Sequence, residues 1–151
     1  MLLVLYVHET TSYPHYYKVE IGNGLQVPED MLTAECWSAH DKLGIHILRN
    51  NQIYSWSFID YILPWEHVKY YCLFHWKKDF HNQLMVINTG WPNKCDNEYT
   101  PNNIPGCRTY RWLVKEDGFY LAVKNDPIVP SDFEFKAPWL KNGLNESINV
   151  K

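Results

Sequence analysis

The sequence predicts an all-β chain: a small antiparallel β-sandwich of about seven to eight strands carrying two disulfides. Three observations lead there. Apolar and polar residues alternate with period two in segment after segment, and no stretch longer than two turns has apolar residues at helical spacing. Turn-forming residues separate the alternating segments every 8–15 positions or so. The chain also holds seven Trp, eleven Tyr and six Phe, enough ring surface to fill the space between two sheets.

Taken in order, Leu32, Ala34 and Cys36 alternate with Thr33, Glu35 and Trp37, and Leu43, Ile45 and Ile47 alternate with Gly44, His46 and Leu48. Tyr54-Ser55-Trp56-Ser57-Phe58 puts three rings on one face and two hydroxyls on the other, the pattern of a half-buried strand. Tyr70 to Trp76 is apolar on both faces, which predicts a central strand between packed layers. Leu84 to Ile87 is a further short apolar run. Asp117-Gly118, between the strands 110–115 and 119–123, predicts a tight type I′ hairpin, because Gly accepts the positive φ such a turn requires. Gly22-Asn23-Gly24 and Arg49-Asn50-Asn51 are further turns. Residues 88–108, with Pro92, Pro101 and Pro105 around Cys95 and Cys107, predict a long loop.

The chain is divided accordingly into residues 1–16, 17–123 and 124–151. The first piece contains the apolar run Met1 to Val7, without a basic n-region, and reads as the remnant of a signal peptide and leader. The second is the sandwich domain. The third, broken by Pro127, Pro130 and Pro138, reads as an irregular C-terminal tail without a core of its own.

Composition excludes several function classes. Apolar residues at 46% and charged residues at 21% are globular values, not those of a disordered chain. The formal net charge of -3 lacks the basic surplus of a duplex-binding domain, so no nucleic-acid partner is expected. No run approaches the ~18 apolar residues that predict a membrane helix, so no membrane insertion is expected. Four cysteines without a CxxC suit bridges made in the secretory pathway better than a zinc site. They allow three connectivities. The favoured one joins Cys36 to Cys107 and Cys72 to Cys95, the second bridge lying at the open end of a hairpin formed by segments near 70–76 and 80–88. Asn145-Glu146-Ser147 is a sequon that makes Asn145 a candidate for glycosylation.

Catalytic signatures are weak. Gly22-x-Gly24 lacks the third glycine of a dinucleotide fingerprint and Pro28 follows where a helix should open. Ser38, His40 and Asp41 are the residue types of a serine triad, but triad members converge from separate segments, so this local run reads as a polar turn. His46, His67, His75 and His81 have no metal-ligand spacing. Trp37, Trp65 and Trp91 could form an exposed ring platform, whereas Trp56, Trp76 and Trp112 sit in strand registers and read as core.

Several short motifs then follow one another in a particular order. Val19, Ile21, Asn23 and Leu25 form Val-x-Ile-x-Asn-x-Leu. Leu32, Cys36 and Ser38 lead into Asp41, Leu43 and Gly44. Tyr54, Trp56 and Phe58 precede Cys72, Phe74 and Trp76, and Trp112, Val114, Glu116, Asp117, Gly118 and Tyr120 close the set. Across about residues 17–123 this collinear set resembles the plant self-incompatibility S1 family, the S-protein homologues. The resemblance departs at Ala39-His40-Asp41-Lys42, where the family's acidic run is reduced, and at Cys107, which lies farther before Trp112 than the family's last Cys.

The resemblance implies a secreted, non-enzymatic β-sandwich with no cofactor, acting as a monomer that signals through a plasma-membrane receptor of another cell, as in rejection of self pollen. The expected contact residues are Ser38, His40, Asp41 and Lys42 in one loop, and Lys77, Lys78 and Asp79 at a hairpin tip. The alternative expectation is a secreted carbohydrate- or peptide-binding sandwich of the cell wall or of defence, using Trp65 and Trp91.

Overall fold

The computed structural model describes residues 14–61, 66–91 and 109–142. The alternating segments become strands: β1 (Pro14–Asn23), β2 (Leu32–Trp37), β3 (Lys42–Leu48), β4 (Ile53–Tyr61), β5 (Lys69–Trp76), β6 (Phe80–Asn88), β7 (Thr109–Lys115), β8 (Gly118–Lys124), β9 (Glu134–Ala137) and β10 (Leu140–Lys141). They form two five-stranded sheets, ordered β4-β1-β7-β8-β9 and β10-β6-β5-β2-β3. The expected all-β sandwich is the fold observed.

The inner faces are those the alternation marked. Leu32, Ala34 and Cys36 are buried, as are Tyr70, Cys72, Phe74 and Trp76, while Ser55 and Ser57 face out. Phe74 meets Phe119 across the sheets at 4.9 Å between ring centroids. A seam of rings runs through the interior from Trp56 to Tyr70 (5.5 Å), Tyr70 to Phe58 (5.0 Å) and Phe58 to Tyr17 (5.5 Å). Such contacts at 4.5–7 Å combine area burial with favourable ring electrostatics. Asn23 is a buried polar lock: its side-chain amide donates to the carbonyls of Leu48 and Asp30, and its oxygen accepts from the Leu25 amide. A buried amide without those partners would be strongly destabilising.

Several expectations need correction. Cys36 is bonded to Cys72, with Cα atoms 4.1 Å apart, so neither favoured bridge, Cys36–Cys107 or Cys72–Cys95, exists. The physical reason is the strand order. β2 lies beside β5 although β3 and β4 intervene in the chain, and the two cysteines face each other directly in that ladder. Cys95 and Cys107 lie outside the described residues. The sandwich is not purely antiparallel either, since β1 and β7 run parallel. Between them the chain passes through β2 to β6, and that long connection permits parallel pairing.

The Asp-Gly hairpin is displaced by one residue. Lys115 pairs with Gly118, so Glu116 and Asp117 form the turn, and neither has the positive φ of type I′. Gly118 follows the turn at φ 143°, with the Ala137 carbonyl packed against its Cα where a side chain would stand. In β3 the phase changes at Gly44 (φ 80°), next to a bulge, so Ile45 and Ile47 face solvent while Leu43, His46 and Leu48 turn inward. The segment read as an irregular tail contributes β9 and β10 and places Trp139 against the core. β1 starts at Pro14, inside the segment read as leader.

Candidate functional site

The predicted contact residues stand at opposite ends of the sandwich. Trp37 pairs with Tyr71 at one end of the β2–β5 ladder and Leu32 with Trp76 at the other. The β2–β3 turn is therefore separated from the β5–β6 tip by the length of a six-residue strand, roughly 20 Å at ~3.3 Å per residue. No single flat contact includes both tightly.

At the first end, the backbone of residues 38–41 is closed on itself. The Ser38 amide donates to the Asp41 carbonyl at 2.7 Å, and the Ser38 hydroxyl oxygen accepts from the amides of Asp41 (3.1 Å) and His40 (3.4 Å). The serine oxygen is thus engaged in shaping the turn, as expected for a hydroxyl-stabilised turn rather than a nucleophile. Beneath it, the Tyr70 hydroxyl donates to an Asp41 carboxylate oxygen at 3.4 Å. Burial, together with the Asp41 charge, holds the Tyr70 hydroxyl above the ordinary tyrosine range, and Tyr54 is pushed up by the same two causes. Both phenols stay protonated. His40, Asp41 and Lys42 are exposed.

At the second end, Lys77 adopts φ 53°, Lys78 and Asp79 are exposed, and the Asn142 amide donates to the Asp79 carbonyl. Asp30, from the β1–β2 connection, accepts from the Trp76 indole at 2.9 Å and lies 3.8 Å from the Lys77 ammonium. That ammonium also sits 4.8 Å from the centre of the Trp76 ring. Part of the Lys77 charge is consequently used to hold the tip, while Lys78 and Asp79 project freely into solvent.

The remaining candidates separate. Trp37 is half-buried on the outer face, stacked on Tyr71 at 6.2 Å, whereas half-buried Trp91 packs against the core 6.2 Å from Tyr110. They belong to different surfaces, and Trp65 lies outside the described residues, as does Asn145. Trp56, Trp76 and Trp112 pack in the core as the alternation predicts. His46 stacks on Tyr54 at 3.6 Å and bonds the Leu43 carbonyl at 2.8 Å, and His75 and His81 face each other across the β5–β6 ladder at 6.4 Å. Among the described residues no group of three His, Cys, Asp or Glu is placed to hold a metal ion.

Sequence reasoning missed one feature. A cleft of about 460 Å³ opens at the flank where β6 and β9 form the lips of the two sheets. It was not legible because one lip, β9, comes from the segment read as tail.

Comparison with known proteins agrees with this architecture. Residues 18–139 match the family described as plant self-incompatibility protein S1. S-protein homolog 13 of Arabidopsis thaliana is 28% identical over 109 residues, which are 69% of this chain and 63% of that relative. The chain therefore spans somewhat less than two thirds of that relative's length. A solved structure of self-incompatibility protein homologues, described as a widespread family of small, highly stable, secreted proteins from plants, superposes with a TM-score of 0.55. That match is at 16% identity and covers 83% of this chain and 95% of that one, which supports the shared fold. The chain belongs to the plant self-incompatibility protein S1 family.

Proposed function

We propose that the protein is a secreted, non-catalytic recognition protein that acts as a monomer and engages a receptor on the plasma membrane of another cell through the turns at the ends of its sandwich. The observation that carries this reading is the Cys36–Cys72 bond between central strands. Disulfides of this kind are made and kept in oxidising compartments, and they stabilise a small domain against the extracellular environment. The family and the solved relative described as secreted support the same compartment. Self-incompatibility or another form of cell–cell signalling is the role that fits, with Asn145 as the glycosylation site.

Ser38 shapes its turn while His40, Asp41 and Lys42 project from it, and Lys78 and Asp79 project at the far end. Exposed charges at a contact rim act on association rate and partner choice. Because the two groups are about a strand length apart, each is tested separately. Labelled protein is titrated onto plant cell surfaces beside the variants His40→Ala/Lys42→Glu and Lys78→Glu/Asp79→Lys. Loss of saturable binding on one pair, with circular dichroism unchanged, is expected. Unaltered binding by both pairs, or alkylation of all four thiols without reductant, rejects the reading.

A further inference from the structure

The lateral cleft has a construction that the recognition role does not use. Among the described residues, sheet order leaves β6 with β10 alone as its outer neighbour, and β10 reaches no further than His81 and Phe80. In that lower half the gap between the sheets is filled. Trp139 packs on Phe119 at 4.6 Å and Trp76 at 5.6 Å, its indole donates to the Lys115 carbonyl, and Asn82 donates to the Pro138 carbonyl. In the upper half nothing equivalent stands among the described residues. The space there is lined by Leu84, Trp91, Tyr110, Trp112, Leu121 and Val123.

Its size and lining resemble those of small-molecule sites, which are concave, ~300–1,000 Å³ and mostly apolar. Two electrostatic facts narrow the ligand. The charged residues at the mouth are satisfied in pairs: Lys136 with Glu134 at 3.1 Å, and Lys124 with Asp132 at 3.4 Å. Inside, the Trp112 indole donates to the Val86 carbonyl at 2.9 Å. An ionic ligand would have to be stripped of water without finding a counter-charge, which is strongly unfavourable. Half-buried Trp91 instead offers aromatic surface to a flat ring, over a lining to which the nearly buried Tyr110 and Trp112 contribute.

We propose that this cleft binds one uncharged, largely apolar small molecule carrying at least one planar ring. The inference goes beyond receptor recognition and stands or falls independently of it.

The full chain, oxidised, is titrated with N-phenyl-1-naphthylamine, an uncharged dye of fused and single rings. The expected result is one saturable site per chain with a blue-shifted emission. Leu84→Trp, which fills the cleft from β6, is expected to weaken binding by about tenfold or more, equivalent to the loss of ~1.4 kcal/mol. Val123→Phe fills it from β8 and serves where the first variant fails to fold. Ile45→Ser, on the exposed opposite edge, is expected to leave binding within about twofold, as is raising the salt concentration, because no charge pair is formed. The sulfonated analogue 1-anilinonaphthalene-8-sulfonate is expected to bind about tenfold more weakly. Absence of saturable binding would mean that the chain's own segments or nothing at all occupy the cleft, and overturns the proposal. So do retained binding in both filling variants and a stoichiometry of one dye per two chains, the mark of a second copy completing the site.

Discussion

The two flanks of the sandwich are built from the same kind of strand and end differently. On one flank the lips are β3 and β4, consecutive in the chain and joined by a turn in which Asn51 takes φ 63°. The Asn51 amide donates to the Asn23 carbonyl and the Asn23 amide to the Gln52 carbonyl, tying that turn to β1. From these lips His46 and Tyr54 reach inward and stack at 3.6 Å, and Tyr54 continues to Trp56 at 5.5 Å. The flank is sealed. On the other flank the lips are β6 and β9, far apart in sequence, and Glu134, Phe135 and Lys136 of β9 are all exposed. Among the described residues, it is Trp139, beyond Pro138, that seals its lower half. Closing a sandwich therefore depends less on having edge strands than on inward-pointing side chains long enough to meet between them.

The largest expected effect breaks the sealed side. Cys36 and Cys72 close a loop of 36 residues, and opening it, by Cys36→Ala/Cys72→Ala, is expected to cost about 4 kcal/mol on the chain-entropy account. Chemical denaturation measures the total. Hydrogen exchange tests the comparison, since amides of β2 and β3 should lose more protection than those of β8 and β9. Equal loss on both flanks would mean that the sandwich opens as one unit.

Next in size is Trp139→Ala. The ring is half-buried and touches Phe119, Trp76 and Phe80, so its removal should cost about 2–3 kcal/mol and extend the cleft along the whole open flank. Here exchange should accelerate in β9 and β10 and leave β3 and β4 protected. A cost below 1 kcal/mol would show that the lower half is closed by backbone pairing alone.

How far these features could be read from the sequence follows the same division. The sealed flank is local: Tyr54-Ser55-Trp56-Ser57-Phe58 states its own inward face, and Arg49-Asn50-Asn51 states its turn. What local pattern cannot state is lateral order. Cys36 and Cys72 are neighbours because β2 adjoins β5, and nothing in either segment encodes that adjacency. The open flank was misread because β9 and β10 are four and two residues long, rich in charge and split by proline; they are strands through the partners they find, β8 and β6. At β3, Gly44 shifts the phase by its positive φ, so the pattern alone put Ile45 and Ile47 on the same face as Leu43. The contact loops were recognisable as turns, but their separation to opposite ends is again a matter of strand order.

A smaller effect lies on the outer face of the sheet that runs from one flank to the other. Glu20 is buried there with its side chain only 7% exposed, hydrogen-bonded to the Arg111 guanidinium and 2.7 Å from the Lys18 ammonium. Burial by itself would raise its pKa, but the hydrogen bonds and charges of Arg111 and Lys18 more than offset this and hold the carboxyl below its usual 4.5. A carboxylate lowered in the folded state contributes stability that is fully present above its unfolded value and is lost as pH falls through the folded value. Thermal midpoints should thus be flat from pH 7 to about 5 and decline below ~4.5. Glu20→Gln should cost about 1–2 kcal/mol at pH 7 and remove part of that decline. An unchanged acid limb in the variant would place the pH dependence elsewhere.

The least costly change probes whether the sealed flank is also a finished edge. Among the described residues β3 ends its sheet with an unpaired backbone side, and Ile45 and Ile47 are 63% and 62% exposed beside it. An apolar edge of this kind is usually a template for strand addition, and proteins blunt it with charge or bulges. Here the bulge between Cys36 and Trp37, with Gly44 opposite at positive φ, interrupts the straight run that a second strand would need. Ile45→Lys should therefore change stability by less than about 0.5 kcal/mol, since it removes little buried surface, and should leave a monomeric sedimentation profile unaltered. Self-association of the parent chain that Ile45→Lys abolishes would show the opposite: that the bulge does not protect this edge, and that the flank closed inside is still open to a neighbour outside.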